Sequence, residues 1–344
     1  MEEQKKAKNN KSSYFVIVVI LLIVFILWLT KRENSLQYKM SSGIVWTTQY
    51  HITYESDKKL DDSIQIVFNN IDNSLSMFNK SSLITRINNG ENVKVDSMLS
   101  CLYETSVMVN KHTEGAFDPT VSPLMKMWGF INKTGTLPDS TQIDSIMNFV
   151  GIGKTSLKDG YIKKMDVRIS FDFSAIAKGY ACDEVGRMME RNGVKNYLVE
   201  IGGEIAVKGV NPSGEKWRIS VDKPIETNDS VAHENMLVIA VSEGGIATSG
   251  NYRNYKDIDG RKVVHTMNPL TGYPEESNLL SVTIVAENCM LADAYATGCM
   301  VMGVEKCKSF LESNEKIGAL LIYSSETDSL KTWSNEKFKA VRCW

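Results

Sequence analysis

Between Lys11 and Lys31 the chain carries no charged residue, and Tyr14 to Leu29 is an unbroken apolar run. A helix rises about 1.5 Å per residue, so the uncharged stretch spans close to the roughly 30 Å of a bilayer core. It shows no polar stripe of the kind a helix packed on a soluble core presents to water. Tyr14 and Trp28 stand near its ends, where amphipathic aromatics favour the membrane interface. The segment predicts a transmembrane helix over residues 12–30. Thr30-Lys31-Arg32-Glu33 follows, with no small-x-small cleavage site close behind and no Cys to accept a lipid, so an uncleaved signal anchor is expected. Lys5, Lys6, Lys8 and Lys11 precede the span, against Lys31 and Arg32 after it. That balance favours a cytoplasmic tail over 1–11 and the bulk of the chain outside. A polar linker is expected over 31–42, then a globular domain over 43–344.

The rest of the chain has the material for such a domain, since 43% of the 344 residues are hydrophobic and 23% charged. Net charge is -2, and no long basic run lies beyond the first dozen residues, so nucleic-acid binding has no electrostatic footprint. The six cysteines include no C-x-x-C pair, which argues against a zinc or thioredoxin-like motif. Alternating or β-branched runs predict strands at 45–54, 167–173, 197–201, 217–221, 236–242, 280–285 and 319–323. Helical spacing marks 60–78, 97–113, 141–149, 177–192, 290–302 and 305–313. Strands and helices do not alternate strictly, which predicts an α+β fold with a mixed, largely antiparallel sheet rather than a doubly wound one.

Four clusters carry chemistry. In Asp172-Phe173-Ser174-Ala175-Ile176-Ala177-Lys178 a strand meets a helix start with a Lys close to it. Free N–H groups and an ammonium there suit an anion, although a capped helix with a solvated Lys fits as well. Asp293 and Thr297, four apart on a helix, put a carboxylate and a hydroxyl on one face. Such oxygens suit a hard cation such as Mg²⁺, and local hydrogen bonds are the plain alternative. His265 opens a loop through Asn268-Pro269-Leu270-Thr271-Gly272 and is either a general base or a loop-shaping residue. Gly115-Ala116-Phe117-Asp118-Pro119 offers an aromatic to stack on a planar ring and a carboxylate for its polar edge, or else a rigid turn over the core.

Their order along the chain is more specific than any one of them. Trp46-Thr47-Thr48, Ser76-Met77-Phe78-Asn79, Gly-Ala-Phe-Asp-Pro-Thr, Asp172-x-Ser-x-Ile-Ala-Lys-Gly-Tyr, Gly202-Gly203, Ala247-Thr248-Ser249-Gly250-Asn251, His265 to Pro274 and Ala-Asp-Ala-Tyr-Ala-Thr follow one another. That series resembles the ApbE family of FAD:protein FMN transferases over about residues 43–321. The resemblance implies a T-fold-like domain that takes FAD as substrate with Mg²⁺ on the pyrophosphate. By it, the metal ligands fall on Asp293, Thr297 and the Ala175 carbonyl. Flavin contacts fall on Trp46, Phe78, Ala116, Phe117, Asp118, Asp172, Lys178 and Thr266, and Gly202, Gly203, Ser249 and Gly250 match pocket-lining turns. Lys178 and His265 become the catalytic candidates. The chain departs from the family pattern at Trp46-Thr47, where Met-Gly is usual, at Phe78, where Tyr is common, and at Asn251, where Asp is.

The implied reaction moves FMN from FAD to a Thr or Ser hydroxyl of a partner and releases AMP. The implied partner is an extracytoplasmic flavin-carrying subunit of a redox complex, met on the periplasmic side of a cell inner membrane. An FAD pyrophosphatase, with water in place of the hydroxyl, uses the same residues. A membrane-tethered flavin-binding protein without turnover would need no metal pair at Asp293 and Thr297.

Overall fold

The computed structural model describes residues 36–131, 137–223, 235–251, 255–258, 261–325, 327 and 329–343, together with 17 and 19–23. Of the expected anchor it describes only those last six residues, which are helical and exposed. Among the described residues no helix is long and apolar enough to cross a membrane. The rest of 12–30, the tail 1–11 and positions 31–35 lie outside the described residues.

Fourteen strands can be followed: β1 (Gln37–Val45), β2 (Thr48–Ser56), β3 (Thr155–Lys158), β4 (Tyr161–Lys164), β5 (Tyr197–Ile201), β6 (Glu204–Lys208), β7 (Trp217–Asp222), β8 (Asn235–Val241), β9 (Glu243–Gly250), β10 (Tyr255–Ile258), β11 (Arg261–Val264), β12 (Leu279–Ala286), β13 (Gly318–Ser324) and β14 (Leu330–Ser334). Eight of them form one sheet in the order β1-β2-β5-β6-β9-β12-β13-β14. Every neighbouring pair in it is antiparallel, so the expected mixed sheet is antiparallel throughout.

Strand alternation sorts the apolar residues between two cores. Val199, Ile201, Ala247, Ala319 and Leu321 face four helices, α1 (Asp61–Leu75), α2 (Ser97–His112), α3 (Ser174–Arg191) and α4 (Cys289–Glu312). Val207, Ile246, Leu320 and Ile322 face the other way, where the β7–β8 hairpin covers them with Trp217, Ile219 and Ile239. The fold is therefore α+β in three layers, with helices on one face of the sheet and a short hairpin on the other.

The first turn of α4 lies against α3 and β9 with almost nothing between. A Cβ on Gly179 would stand 2.3 Å from the Cys289 carbonyl oxygen, and one on Gly245 only 2.0 Å from the Cys289 nitrogen. Glycine at both positions lets three backbones meet. The Asp183 carboxylate of α3 accepts the Cys289 and Met290 N–H groups, each at 2.9 Å, and Asn288 accepts from Leu291. The open donors of the α4 N-terminus are thus satisfied from a neighbouring helix. Burial pushes the Asp183 carboxyl up to about 6.

Several expectations need correction. Residues 167–173 form no strand, although Ile169, Phe171 and Phe173 are buried. The Asn88 side chain both donates to the Phe171 carbonyl (2.9 Å) and accepts its N–H (2.8 Å), taking the place of a neighbouring strand. The helices expected at 290–302 and 305–313 run on as α4, broken at Gly303 where φ is 72° and ψ 178°. The supposed linker 31–42 enters the sheet at Gln37. Strand β9 escaped the pattern because it reads Glu-Gly-Gly-Ile-Ala-Thr-Ser-Gly, where Gly245 serves backbone approach rather than side-chain burial.

The close approach at Cys289 sets a stability test. Gly245→Ala should cost about 2 kcal/mol or more in urea denaturation, because backbone cannot yield as a flexible side chain can. Gly153→Ala, where a Cβ meets nothing within 4 Å, should stay within about 0.5 kcal/mol. Equal, small effects from both would refute the close packing.

Candidate active site

The end of the sheet where β1 turns into β2 and β5 into β6 opens into a cleft of about 930 Å³. The turn at Trp46-Thr47 is made by two non-glycine residues with positive φ, 47° and 64°, as a two-residue hairpin of the right twist requires. Around this end gather the start of α3, the second turn of α4, the Ala116–Pro119 segment and the loop after β11.

Lys178, the fifth residue of α3, extends to Glu204 at the start of β6, with Nζ 2.5 Å from Oε2. Glu204 is buried, and burial raises its carboxyl above the ordinary range, with Asp293 adding to the rise and Lys178 opposing it. Asp293 is buried too, and burial again raises it against the pull of Lys178 and the Gly179 N–H, which donates to its Oδ2 at 3.0 Å. Burial works against the Lys178 ammonium, but Glu204 and Asp293 outweigh it and hold the group above its usual value. One ammonium thus stands between two buried carboxylates. Fully ionised, the trio carries an excess negative charge that a cation would neutralise.

The same contacts show how a cation would be held. The Gly179 N–H is the regular helical donor to the Ala175 carbonyl four residues back, and here it has Asp293 as an acceptor. Ala175, Asp293 and Thr297 all line the cleft, and the Thr297 hydroxyl lies 3.4 Å from that of Ser249. Among the described residues no group of three or more His, Cys, Asp or Glu side chains could hold a metal. A cation here would rest on one carboxylate, a hydroxyl and a carbonyl, all oxygen donors that fit Mg²⁺ bound together with a phosphate.

The other expected residues separate into two groups. Ala116, Phe117, Asp118, Asp172, Lys178, Gly202, Gly203, Ser249, Gly250, His265 and Thr266 all line the cleft. Asp118 accepts from Thr120 N (2.8 Å), Ile152 N (2.8 Å) and Asn110 Nδ2 (3.2 Å), and burial raises it. Its bonds knit the loop to its neighbours as a rigid turn that also borders the cleft. Asp172, raised by burial, accepts the Ser174 N–H at 2.8 Å. Thr266 donates to Asn251 at 2.5 Å. Trp46 and Phe78 do not line the cleft: Trp46 packs edge-on to Phe68 at 5.5 Å, and Phe78 is 85% exposed.

Sequence reasoning missed Glu204, although it stands directly after Gly202-Gly203. The signal available was that a Lys held inside a cleft requires a counter-charge. It also missed His51 and Glu200, which lie opposite one another on β2 and β5 and border the cleft.

The ApbE family model matches residues 46–321. An FAD:protein FMN transferase of Escherichia coli (strain K12) is 34% identical over 291 residues, 82% of this chain and 81% of the relative. One of Vibrio cholerae is 33% identical over 309 residues, covering 87% and 91%. Among solved structures, flavin transferase ApbE from Vibrio cholerae superimposes with a TM-score of 0.79 at 31% identity, over 89% of this chain and 99% of that one. The apo flavinyl transferase ApbE of Pseudomonas stutzeri gives 0.79 at 28% identity, over 89% and 97%. With the model match spanning most of its length, the chain belongs to the ApbE family.

Proposed function

We propose that the chain transfers the FMN half of FAD to a Thr or Ser hydroxyl of a partner protein and releases AMP. The observation that carries this reading is the half-exposed Lys178 set against the buried carboxylates of Glu204 and Asp293, in a chain whose relatives are named for that transfer. Asp293, Thr297 and the Ala175 carbonyl would hold Mg²⁺, which when bound supplies positive charge against the pyrophosphate. Lys178, steadied by Glu204, brings a second positive charge to the phosphates. The partner's hydroxyl oxygen forms a bond to the FMN phosphorus while the bridging P–O bond to AMP breaks, and AMP leaves with the electron pair. His265, on the cleft wall, accepts the hydroxyl proton. No nucleophile is required of this chain, and among the described residues the buried thiols are not activated: burial raises those of Cys182 and Cys289, and the hydrogen bond with Cys307, together with burial, raises that of Cys299.

The apolar segment 12–30 supports a membrane anchor, with the catalytic domain on the periplasmic side facing an extracytoplasmic redox subunit as acceptor.

The reading is tested by incubating the full-length chain with FAD, Mg²⁺ and a flavin-carrying redox subunit stripped of its flavin. The acceptor should gain the mass of an FMN phosphoester while AMP accumulates in equal amount. AMP with free FMN and an unchanged acceptor would instead make the protein a pyrophosphatase. His265→Ala should slow transfer by roughly 10²–10⁴ with FAD affinity nearly unchanged, and unaltered transfer would remove His265 from the proton path. Thr297→Ser should keep part of the activity that Thr297→Val loses, since it retains the oxygen. The anchor predicts that the chain stays with membranes through alkaline carbonate extraction, and its release would show otherwise.

A further inference from the structure

β1 is an outer strand of the large sheet, with β2 on one side and, among the described residues, no strand on the other. Alternate residues of β1 face the β7–β8 hairpin side. Tyr38 is covered there: it meets Trp217 edge-on at 6.3 Å and donates to the Val210 carbonyl at 2.7 Å. Met40 and Ile44 follow on the same face without cover, each 77% exposed. The residue opposite Ile44 on β2 is Gln49, and the residue opposite Ser42 is His51. Both border the cleft, so the bare apolar face and the proposed reaction site are continuous.

The boundary between them is polar and fixed. His51 Nδ1 lies 2.6 Å from Glu200 Oε2, and Glu200 Oε1 accepts the Gly203 N–H at 2.9 Å. An imidazole held through Nδ1 presents Nε2 to an arriving chain. Its side chain is 55% exposed, which suits a group that meets a second substrate rather than one enclosed with the first.

We infer that the open face of the β1–β2 hairpin docks the acceptor polypeptide as an extended segment, with an apolar side chain on Met40 and Ile44 and the chain passing His51 into the cleft. The inference rests on the transfer reading, which supplies a protein as second substrate and requires its hydroxyl to enter from outside. Continuity with the cleft favours this face together with its strand geometry: exposed Leu270 and Tyr273 also adjoin the cleft beside Pro269, but they sit in a turn, whereas Met40 and Ile44 form one row along an open edge strand. Phe78, Met165 and Val167 are also exposed, but none of them lines the cleft or neighbours on its strand a residue that does. Strands lie about 4.8 Å apart and Glu200 is offset from Ile44 by two residues along the strand, so the path from Ile44 on β1 to Glu200 on β5 is about 12 Å, or about three to four residues of extended chain. The acceptor should therefore carry an apolar residue about three to four positions from the hydroxyl that reacts.

The test uses the full-length chain, FAD, Mg²⁺ and pairs of short synthetic peptides, each with a single Thr, no Ser, and either Leu or Gln about three to four positions from the Thr on one side or the other. The expected result is faster FMN transfer to a Leu peptide, with KM for that peptide raised about tenfold or more in the Met40→Ser/Ile44→Ser double variant. KM for FAD and the melting temperature should stay at wild-type values, because both residues are on the surface and outside the cleft. Equal transfer to both peptides of every pair, or a preference for Leu that survives in the double variant, would overturn the docking face, whereas FAD hydrolysis without transfer to any peptide would defeat the transfer reading itself. Self-association seen by sedimentation in the wild type and lost in the double variant would assign the face to a second copy, and overturn the inference as well. FAD left intact under every condition would instead defeat the transfer reading itself.

Discussion

The contact on which the rest of the structure depends is the meeting of three backbones at Cys289. With Gly179 on α3 and Gly245 on β9, the start of α4 comes closer to both than any side chain would permit. Two consequences follow from that spacing. Asp183 can reach across to take the first N–H groups of α4, so the helix begins in a buried place without stranded donors. One turn further on, Asp293 takes the Gly179 N–H and comes within electrostatic reach of Lys178. A methyl group at either glycine would separate the elements and with them the charges of the site.

The charges are arranged so that none of them is at ease. Glu204 and Asp293 are both raised by burial, and Lys178 is kept protonated chiefly by the two carboxylates around it. An ion pair with one buried partner and one half-exposed one is weak evidence for stability, since desolvation of the carboxylate offsets much of the attraction. Its retention makes sense in a cleft meant for a ligand whose own charges complete the balance. A pyrophosphate together with a divalent cation would do so: the anion would answer the ammonium and the cation the carboxylates.

Much of this was legible in the sequence because the site is built from local motifs. Asp293 and Thr297 share a helix face by spacing alone, and Lys178 follows a strand-like run into a helix start. Tyr197–Ile201, Trp217–Asp222 and Leu279–Ala286 show the apolar signature of buried strands. What escaped was decided over distance. Asn88 replaces a strand partner for Phe171 from 83 positions away, which no local pattern reveals. Glu204 matters only because Lys178, 26 residues earlier, is aimed at it. The flavin contacts expected at Trp46 and Phe78 rest on family position alone, since one packs on Phe68 and the other lies in solvent. The glycine-rich β9 was unreadable as a strand because Gly245 answers to α4, whose position the sequence does not announce.

The central claim is that the excess negative charge around Lys178 is matched to a cation carried by the substrate. Calorimetric titration of FAD into the full-length chain, with and without Mg²⁺, addresses it without any acceptor. Asp293→Ala, which removes one of the two carboxylates and the only charged side chain proposed to hold the cation, serves as the comparison. The account predicts that Mg²⁺ strengthens FAD binding by tenfold or more in the wild type, about 1.4 kcal/mol of coupling or above, and that the variant loses this gain. Equal FAD affinity with and without the ion in the wild type, or an undiminished gain in Asp293→Ala, would contradict it.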